Sequence, residues 1–276
     1  MYKVEPYIWQ YIKEGQAIFQ TQKCTTVIKN SKLCKFLVSI EEKKKFLLNK
    51  EEIESYFGRE DASKIIDFLL QQGILKTKSK KDINIERIVV LSNDLGFIES
   101  IKYNLDGMYN LLFIKKKTLG NMIFKNTDLL LVFLNPFELK EMESLVNLIK
   151  ERDILCKFIF SYNNKIYFSN IYKKSWYNPC PLCFFYEIES QLRGEEGERN
   201  INFQTIVDLM YAENIIFKSN LPLNKTSYLH ITYHLSKYIH KIIDDYRIDE
   251  VLELDLSTYS IKKDMAYHWG YCDCYE

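Results

Sequence analysis

The chain has no long apolar run. Its most apolar stretch, Leu129 to Leu134, is six residues long, against the roughly 20 that a membrane-spanning helix needs. It has no surplus of one charge either. Its 38 lysines and arginines face 37 aspartates and glutamates, a formal net charge of +1, which removes the broad electrostatic case for nucleic acid or an anionic membrane surface. The N-terminus, Met1-Tyr2-Lys3-Val4-Glu5-Pro6, has charge and a proline where a secretory signal would carry its apolar core. A cytoplasmic location is therefore expected. No G-x-S-x-G is present, and no Ser or Cys is linked by pattern to one of the four histidines, so no hydrolase site is indicated. His230 and His234 stand one helical turn apart, but the glutamate of the zinc-protease motif is missing between them. They are expected to be satisfied side chains on a core or interface face.

What is present begins with cysteine. Asn178-Pro179-Cys180-Pro181-Leu182-Cys183 holds a C-x-x-C, and Tyr271-Cys272-Asp273-Cys274 a C-x-C. Seven cysteines, an odd number, argue against a disulfide framework in a reducing compartment. Four thiolates from two such pairs match a tetrahedral zinc site, Cys180, Cys183, Cys272 and Cys274. A closed four-sulfur shell leaves no position for water or substrate, so the expected Zn2+ is structural. The rival readings are a redox C-x-x-C and four inert thiols, and the second pair favours zinc. Cys24, Cys34 and Cys156 lie among apolar residues and are expected in the core.

Along the chain, residues 7–29 read as two or three short antiparallel strands. Leu33, Phe36, Leu37, Ile40, Phe46 and Leu47 are too unevenly spaced to separate strand from helix. Lys50 to Phe57 is a short amphipathic helix closed by Gly58. Asp61 is the expected cap of a helix carrying Ile65, Ile66, Phe68, Leu69 and Leu70, which Gly73 ends, and Ile74-Leu75-Lys76-Thr77 follows as a strand. Helix, turn, helix and strand is the pattern of a winged helix. Its second helix offers Lys64 as the base between Asp61 and Asp67, a poor set for reading a base edge. Recognition of a peptide added to a sheet edge suits it better. Lys78, Lys80 and Lys81, within the expected linker Ser79-Lys80-Lys81-Asp82, and Lys115-Lys116-Lys117 are short clusters expected to be solvated.

The period then changes. Ile88 to Leu91, Leu111 to Ile114, Leu129 to Leu134, Leu155 to Phe160 and Lys165 to Phe168 read as strands. Helices are expected up to Leu105, over Phe137 to Lys150 and from Pro181 to Arg193. Phe203 to Phe217 and Lys225 to Ile243 also read as helices, and Val251 to Leu256 as a last strand or hairpin with the segment around Met265 to Trp269. This predicts an α/β, mainly parallel, doubly wound sheet. Its phosphate position would be Ser92-Asn93-Asp94-Leu95-Gly96, which has one glycine and an aspartate, a combination that disfavours a nucleotide. Gly194 to Asn200 is expected to be an exposed charged loop.

Asn178 to Cys183, Arg193-Gly194-Glu195-Glu196-Gly197-Glu198-Arg199-Asn200 and His268-Trp269-Gly270-Tyr271-Cys272-Asp273-Cys274 together resemble the McbB family, partner subunits of azole-forming peptide synthetases of the microcin type. The specific match covers about a third of the chain, and length and domain order fit the whole. The resemblance implies a winged-helix leader-peptide recognition domain at 1–80 and, at 84–276, a domain with the fold of ThiF-like ubiquitin-activating-type enzymes, usually catalytically dead. The four-cysteine zinc site of that family maps onto Cys180, Cys183, Cys272 and Cys274. The implied function is a non-catalytic scaffold that binds the leader of a ribosomal precursor peptide. Its implied partners are a YcaO cyclodehydratase, a flavin-dependent azoline dehydrogenase and, in some members, a second copy as a homodimer. Active relatives carry a metal-binding aspartate after the strand that is here Leu129 to Leu134, where this chain has Asn135-Pro136, and Asp128 stands at the wrong end to replace it. Leader contacts are expected near Thr25, Val27 and Lys29 and on the following helix at Lys64 and Phe68. An active adenylating enzyme and a winged-helix DNA-binding regulator are the alternatives.

Overall fold

The computed structural model describes residues 2–274 apart from 22, 44, 46, 78–82, 195–201, 246 and 247, with only the helical backbone for 240–245. Phe46, the cluster at Lys78, Lys80 and Lys81 with its linker, and the loop from Glu195 to Asn200 lie outside the described residues. No helix among those described is long and apolar enough to cross a membrane. The chain divides into two compact units, Met1–Lys81 and Asp82–Glu276.

The first unit runs β1 (Tyr2–Val4), β2 (Ile8–Lys13), β3 (Gln16–Gln20), β4 (Thr25–Ile28), α1 (Ser31–Glu42), β5 (Leu47–Leu48), α2 (Lys50–Phe57), α3 (Arg59–Gln71) and β6 (Leu75–Thr77). The strands expected over 7–29 form an antiparallel meander, β2-β3-β4. β1 lies between β5 and β6 in a second antiparallel sheet. The ambiguous segment after Asn30 is a helix. Asn30 caps α1 by accepting from the Leu33 N–H, and six of its twelve residues are buried, which is why its apolar positions show no clean period. Asn49 and Glu52 form a reciprocal capping box on α2. α3 starts two residues before the expected Asp61 cap. Gly58, at φ +88°, lets α2 turn directly into α3, so Asp61 falls inside the first turn. One core joins the unit, with Ala17, Phe19, Leu37, Ile53, Ala62, Leu69 and Ile74 fully buried.

The second unit runs β7 (Arg87–Leu91), α4 (Leu95–Leu105), β8 (Asn110–Ile114), α5 (Lys116–Leu119), β9 (Asp128–Leu134), α6 (Leu139–Glu151), β10 (Cys156–Tyr162), β11 (Lys165–Phe168), α7 (Pro181–Gly194), α8 (Phe203–Ala212), α9 (Lys225–Asp245), β12 (Glu250–Asp255) and β13 (Ile261–Met265). The strand order is β13-β12-β11-β10-β9-β7-β8. β8, β7, β9 and β10 are parallel. The expectation of a mainly parallel sheet fails beyond β10, because β11, β12 and β13 add antiparallel to it. Asn163 and Asn164, both at positive φ, fold β10 back on β11 as a two-residue hairpin. α8 is also shorter than expected. Asn214 takes a left-handed conformation and the Ile215 N–H closes back on the Met210 carbonyl, ending the helix.

β9 is buried at every residue. Its alternate side chains enter two different cores. Leu130, Val132 and Leu134 meet α6 and α7, and Leu129, Leu131 and Phe133 meet α4 and α9. Each such side chain contributes about 1.5–3 kcal/mol of burial. β7 has its successor β8 on one side and β9 on the other. The crevice at their carboxyl ends is the topological switch point, where this architecture binds ligands.

Candidate metal centre

The first cysteine pair is placed by a loop that two buried asparagines hold. Asn170 Nδ2 donates to the Pro179 carbonyl at 2.7 Å, and Asn178 Nδ2 to the Ile171 carbonyl at 2.6 Å. Pro181 then opens α7, where its missing N–H costs nothing. The Cys183 N–H closes on the Cys180 carbonyl at 3.0 Å, so both sulfurs sit on one turn. The second pair is set by a turn in which the Cys272 N–H bonds the Trp269 carbonyl at 2.9 Å. Trp269 itself packs on the core under α6 and α7.

The four Sγ atoms converge. All lie within 4.8 Å of one another and all four residues are buried. Cys180 and Cys183 are 3.8 Å apart, Cys180 and Cys272 3.5 Å, and Cys183 and Cys274 3.3 Å. Four sulfurs at about 2.3 Å from one zinc are separated by about 3.8 Å, so this donor set fits a divalent metal. A disulfide would need about 2.05 Å, and all seven cysteines are free thiols. The electrostatics agree. Hydrogen bonds from Cys180 and Cys183 draw the Cys272 thiol down to about 7. Cys274 is drawn down by Cys180, Cys183 and Cys272, with His268 adding to them. Cys180 is pushed up because its proton is shared among Cys183, Cys272 and Cys274. Thiols this close cannot all ionise without a cation between them. With four sulfurs as ligands no open position remains, so the arrangement can crosslink but not catalyse.

Sequence reasoning missed the groups around the cluster. His268 Nδ1 lies 3.3 Å from Cys274 Sγ, and Nε2 3.2 Å from the Tyr177 carbonyl. Lys150 Nζ donates to Asp273 Oδ1 at 2.7 Å. The buried Tyr172 hydroxyl has no hydrogen-bond partner among the described residues. His268 stands six residues before Cys274 and could have been flagged. Lys150 and Asp273 are separated by 123 residues, and no local signal joins them. Of the other cysteines, Cys34 and Cys156 are buried as expected, whereas Cys24 is half-buried in the turn before β4, with its thiol bonding the Gln72 carbonyl at the end of α3.

At the switch point the chain fills its own phosphate position. Asp94 Oδ1 accepts from the Phe97 N–H at 3.0 Å, capping α4. Asp94 Oδ2 accepts from the Tyr228 hydroxyl at 2.9 Å. The Tyr228 ring lies on Gly96, where a Cβ would come within 2.3 Å of it. After β9, Asn135 spends its amide on the backbone of Leu221, donating to the carbonyl and accepting from the N–H, both at 2.9 Å. Asp128, at the other end of β9, is held by Arg87 and by the Lys125 N–H. His230 stacks on Tyr259, with centroids 4.2 Å apart, and lies 6.4 Å from His234. The cysteine cluster is the one metal-competent group among the described residues.

In the first unit, Thr25 and Val27 are exposed on β4, which is an edge strand, and Lys29 follows it exposed. Lys64 is exposed and Phe68 half-buried, one turn apart on α3. The Thr21 hydroxyl bonds the Gln72 carbonyl at 3.0 Å, bringing the turn before β4 to the end of α3.

The family model described as Microcin B17-processing protein McbB matches residues 2–276. Among solved structures, a chain of the E. coli Microcin synthetase McbBCD complex is similar, with a TM-score of 0.56 at 12% identity over 99% of this chain and 100% of that one. A chain of that complex with pro-MccB17 bound gives a TM-score of 0.55 at 14% identity over 100% and 99%. At these identities the likeness establishes the fold. A search of curated proteins finds no match.

Proposed function

The chain belongs to the McbB family, and we propose that it is the non-catalytic, leader-binding subunit of a thiazole- and oxazole-forming peptide synthetase. In this reading it presents a ribosomally made precursor to a YcaO cyclodehydratase. A flavin-dependent azoline dehydrogenase then acts on the product, and a second copy of the chain completes a homodimer. Similarity to chains of a microcin synthetase complex, one with a precursor bound, supports a peptide partner.

The observation that carries the non-catalytic part is the filled switch point. Asp94 and Tyr228 occupy the place of a phosphate, and Asn135 stands where an adenylating relative needs a metal-binding carboxylate. The Asp94 carboxylate already caps the N-terminus of α4, so its negative charge opposes a phosphate at the place where a free helix N-terminus would attract one.

Residues 1–80 are read as a winged helix, with α2, the Gly58 turn and α3 as its helix-turn-helix. The leader adds a strand to β4 beside Thr25, Val27 and Lys29 and packs on Lys64 and Phe68 of α3. Main-chain bonds give affinity in such an addition, and alternate side chains give specificity. Residues 84–276 are the ThiF-like scaffold, crosslinked by zinc at Cys180, Cys183, Cys272 and Cys274. The metal supplies a structural link and no reaction step. Calorimetry of the purified, zinc-loaded protein with its cognate leader peptide tests the proposal. Saturable binding at one site per chain is expected, and no heat of binding with folded protein rejects it.

A further inference from the structure

We propose that His268 is a positioning residue that bridges the two cysteine segments and holds the Cys274 sulfur in place for the metal. This rests on the reading of the cluster as a zinc site. Cys274 stands nine residues beyond Met265, the end of β13, and no helix or strand follows β13 among the described residues. Its sulfur is therefore placed by side-chain contacts and by the turn that the Cys272 N–H closes on the Trp269 carbonyl. His268 opens that segment, and its imidazole touches both sides of the site. Nδ1 lies 3.3 Å from Cys274 Sγ, and Nε2 lies 3.2 Å from the carbonyl of Tyr177, shortly before Cys180. A carbonyl only accepts, so Nε2 carries the hydrogen of that bond. The bond fixes the ring orientation and leaves Nδ1 facing the sulfur. Tyr177 ends a short 3-10 turn, Lys174–Trp176, at φ +50°. A tyrosine stays in that left-handed conformation only where its surroundings hold it, so the carbonyl that receives Nε2 belongs to a constrained backbone. The ring links His268 to Tyr177 across 91 residues. These are the two stretches that the metal joins in this reading, and the ring joins them without a metal bond. The Lys150 ammonium also reaches the segment, but at Asp273 and not at a sulfur. A ligand held in place beforehand costs less ordering when the metal arrives, and metal ligands are commonly oriented by outer hydrogen bonds of this kind.

Asparagine and glutamine separate the two contacts. An asparagine amide falls near the position of Nδ1, beside the sulfur, and is too short for the Tyr177 carbonyl. A glutamine amide falls near Nε2 and leaves nothing beside the sulfur. A bridge needs both ends, so both variants should lose it. The experiment uses the full chain, with zinc content from atomic emission and zinc release from the rate of transfer to a chromogenic pyridylazo chelator. Outer groups of a metal site typically change affinity by about 10- to 100-fold, and His268→Asn and His268→Gln are each expected to release zinc faster by about that factor. Urea unfolding with and without EDTA separates positioning from a general role in the fold. With the metal stripped, both variants are expected to unfold at the parent's midpoint. Cobalt(II) absorption reports which atoms bind the metal, and a four-sulfur spectrum is expected in all three proteins. If one variant folds poorly by circular dichroism, the other decides. A folded variant that releases zinc at the parent's rate overturns the bridge. A midpoint lowered as much in EDTA as in zinc overturns the positioning role. A cobalt spectrum of three sulfurs and one nitrogen in the parent overturns it by making His268 a ligand. A parent protein that binds neither zinc nor cobalt overturns the metal reading on which the proposal rests, a result distinct from the others.

Discussion

Replacing Cys272 by serine should cut the link that joins the C-terminus to the start of α7. The proposed zinc crosslink would join residues 92 apart, Cys180 with Cys272, and 91 apart, Cys183 with Cys274. Closing a loop of about 90 residues removes about 15 cal/mol/K from the unfolded chain, or about 4.6 kcal/mol at 25 °C. The native side loses less. β13 stays paired to β12 through five residue pairs, Ala266 is fully buried, and the exposed pair of Lys150 with Asp273 contributes about 0–1 kcal/mol. The expected outcome is a loss of about 3–5 kcal/mol with the sheet intact. Urea unfolding by far-ultraviolet circular dichroism, with zinc measured on the same samples, checks it. A chelator arm makes the reasoning refutable. The parent treated with EDTA should fall to the stability of Cys272→Ser, and the variant should not fall further, because both act on one link. A variant that keeps full zinc and full stability refutes the crosslink. A variant that EDTA destabilises as much as the parent refutes the identity of the ligands.

Glu187 on α7 gives a pH signature. Burial, and then the charge of Asp264, push its carboxyl up to about 7 from 4.5. A raised folded-state value means that its contribution to stability is complete below about pH 4.5 and is lost as the pH rises through 7. Glu187→Gln should therefore match the parent near pH 4.5 and exceed it at pH 8 by about 1–2 kcal/mol, allowing for solvent screening of a half-buried group. Denaturant midpoints of both proteins across that range test it, since slopes common to both cancel, and parallel curves reject it. Val27, 48% exposed on β4, tests the leader surface. Val27→Asp should leave stability within about 0.5 kcal/mol and weaken leader binding by about 10-fold or more through loss of an apolar contact. Unchanged affinity would move the leader away from β4.

The cysteine knot could be read in the sequence because metal-ligand spacing is local within each pair, and two local pairs suffice to propose a site. Most helices could be read for the same reason, since caps and periods are local. Asn163-Asn164 was a legible hairpin signal of the kind that sets strand direction, but strand periodicity alone carries no direction, and the antiparallel turn of β10 onto β11 was missed, although the hairpin of β12 with the segment ending at Met265 was expected and is present. α1 hid its period because half its residues are buried. The contacts that no local reading could supply are long-range ones, Lys150 to Asp273 and Tyr228 to Asp94, separated by 123 and 134 residues.

Gly96 shows how a residue kept at a nucleotide turn can mislead. A glycine there suggests backbone left open for a phosphate. In this fold the open space is filled by the Tyr228 ring, so the glycine serves a close approach of α4 to α9. The same face continues one and two turns on. Ser100 Oγ lies 2.7 Å from Thr232 Oγ1, and Asn104 Nδ2 donates to that oxygen at 2.8 Å. Gly96, Ser100 and Asn104 thus meet Tyr228 and Thr232 at a period of four, the spacing of one helix face. A first turn committed to that packing cannot also admit a phosphate without separating the two helices. The α4–α9 contact therefore occupies the point where an adenylating relative would do chemistry. In the proposed complex the ATP-dependent step must then lie on another chain.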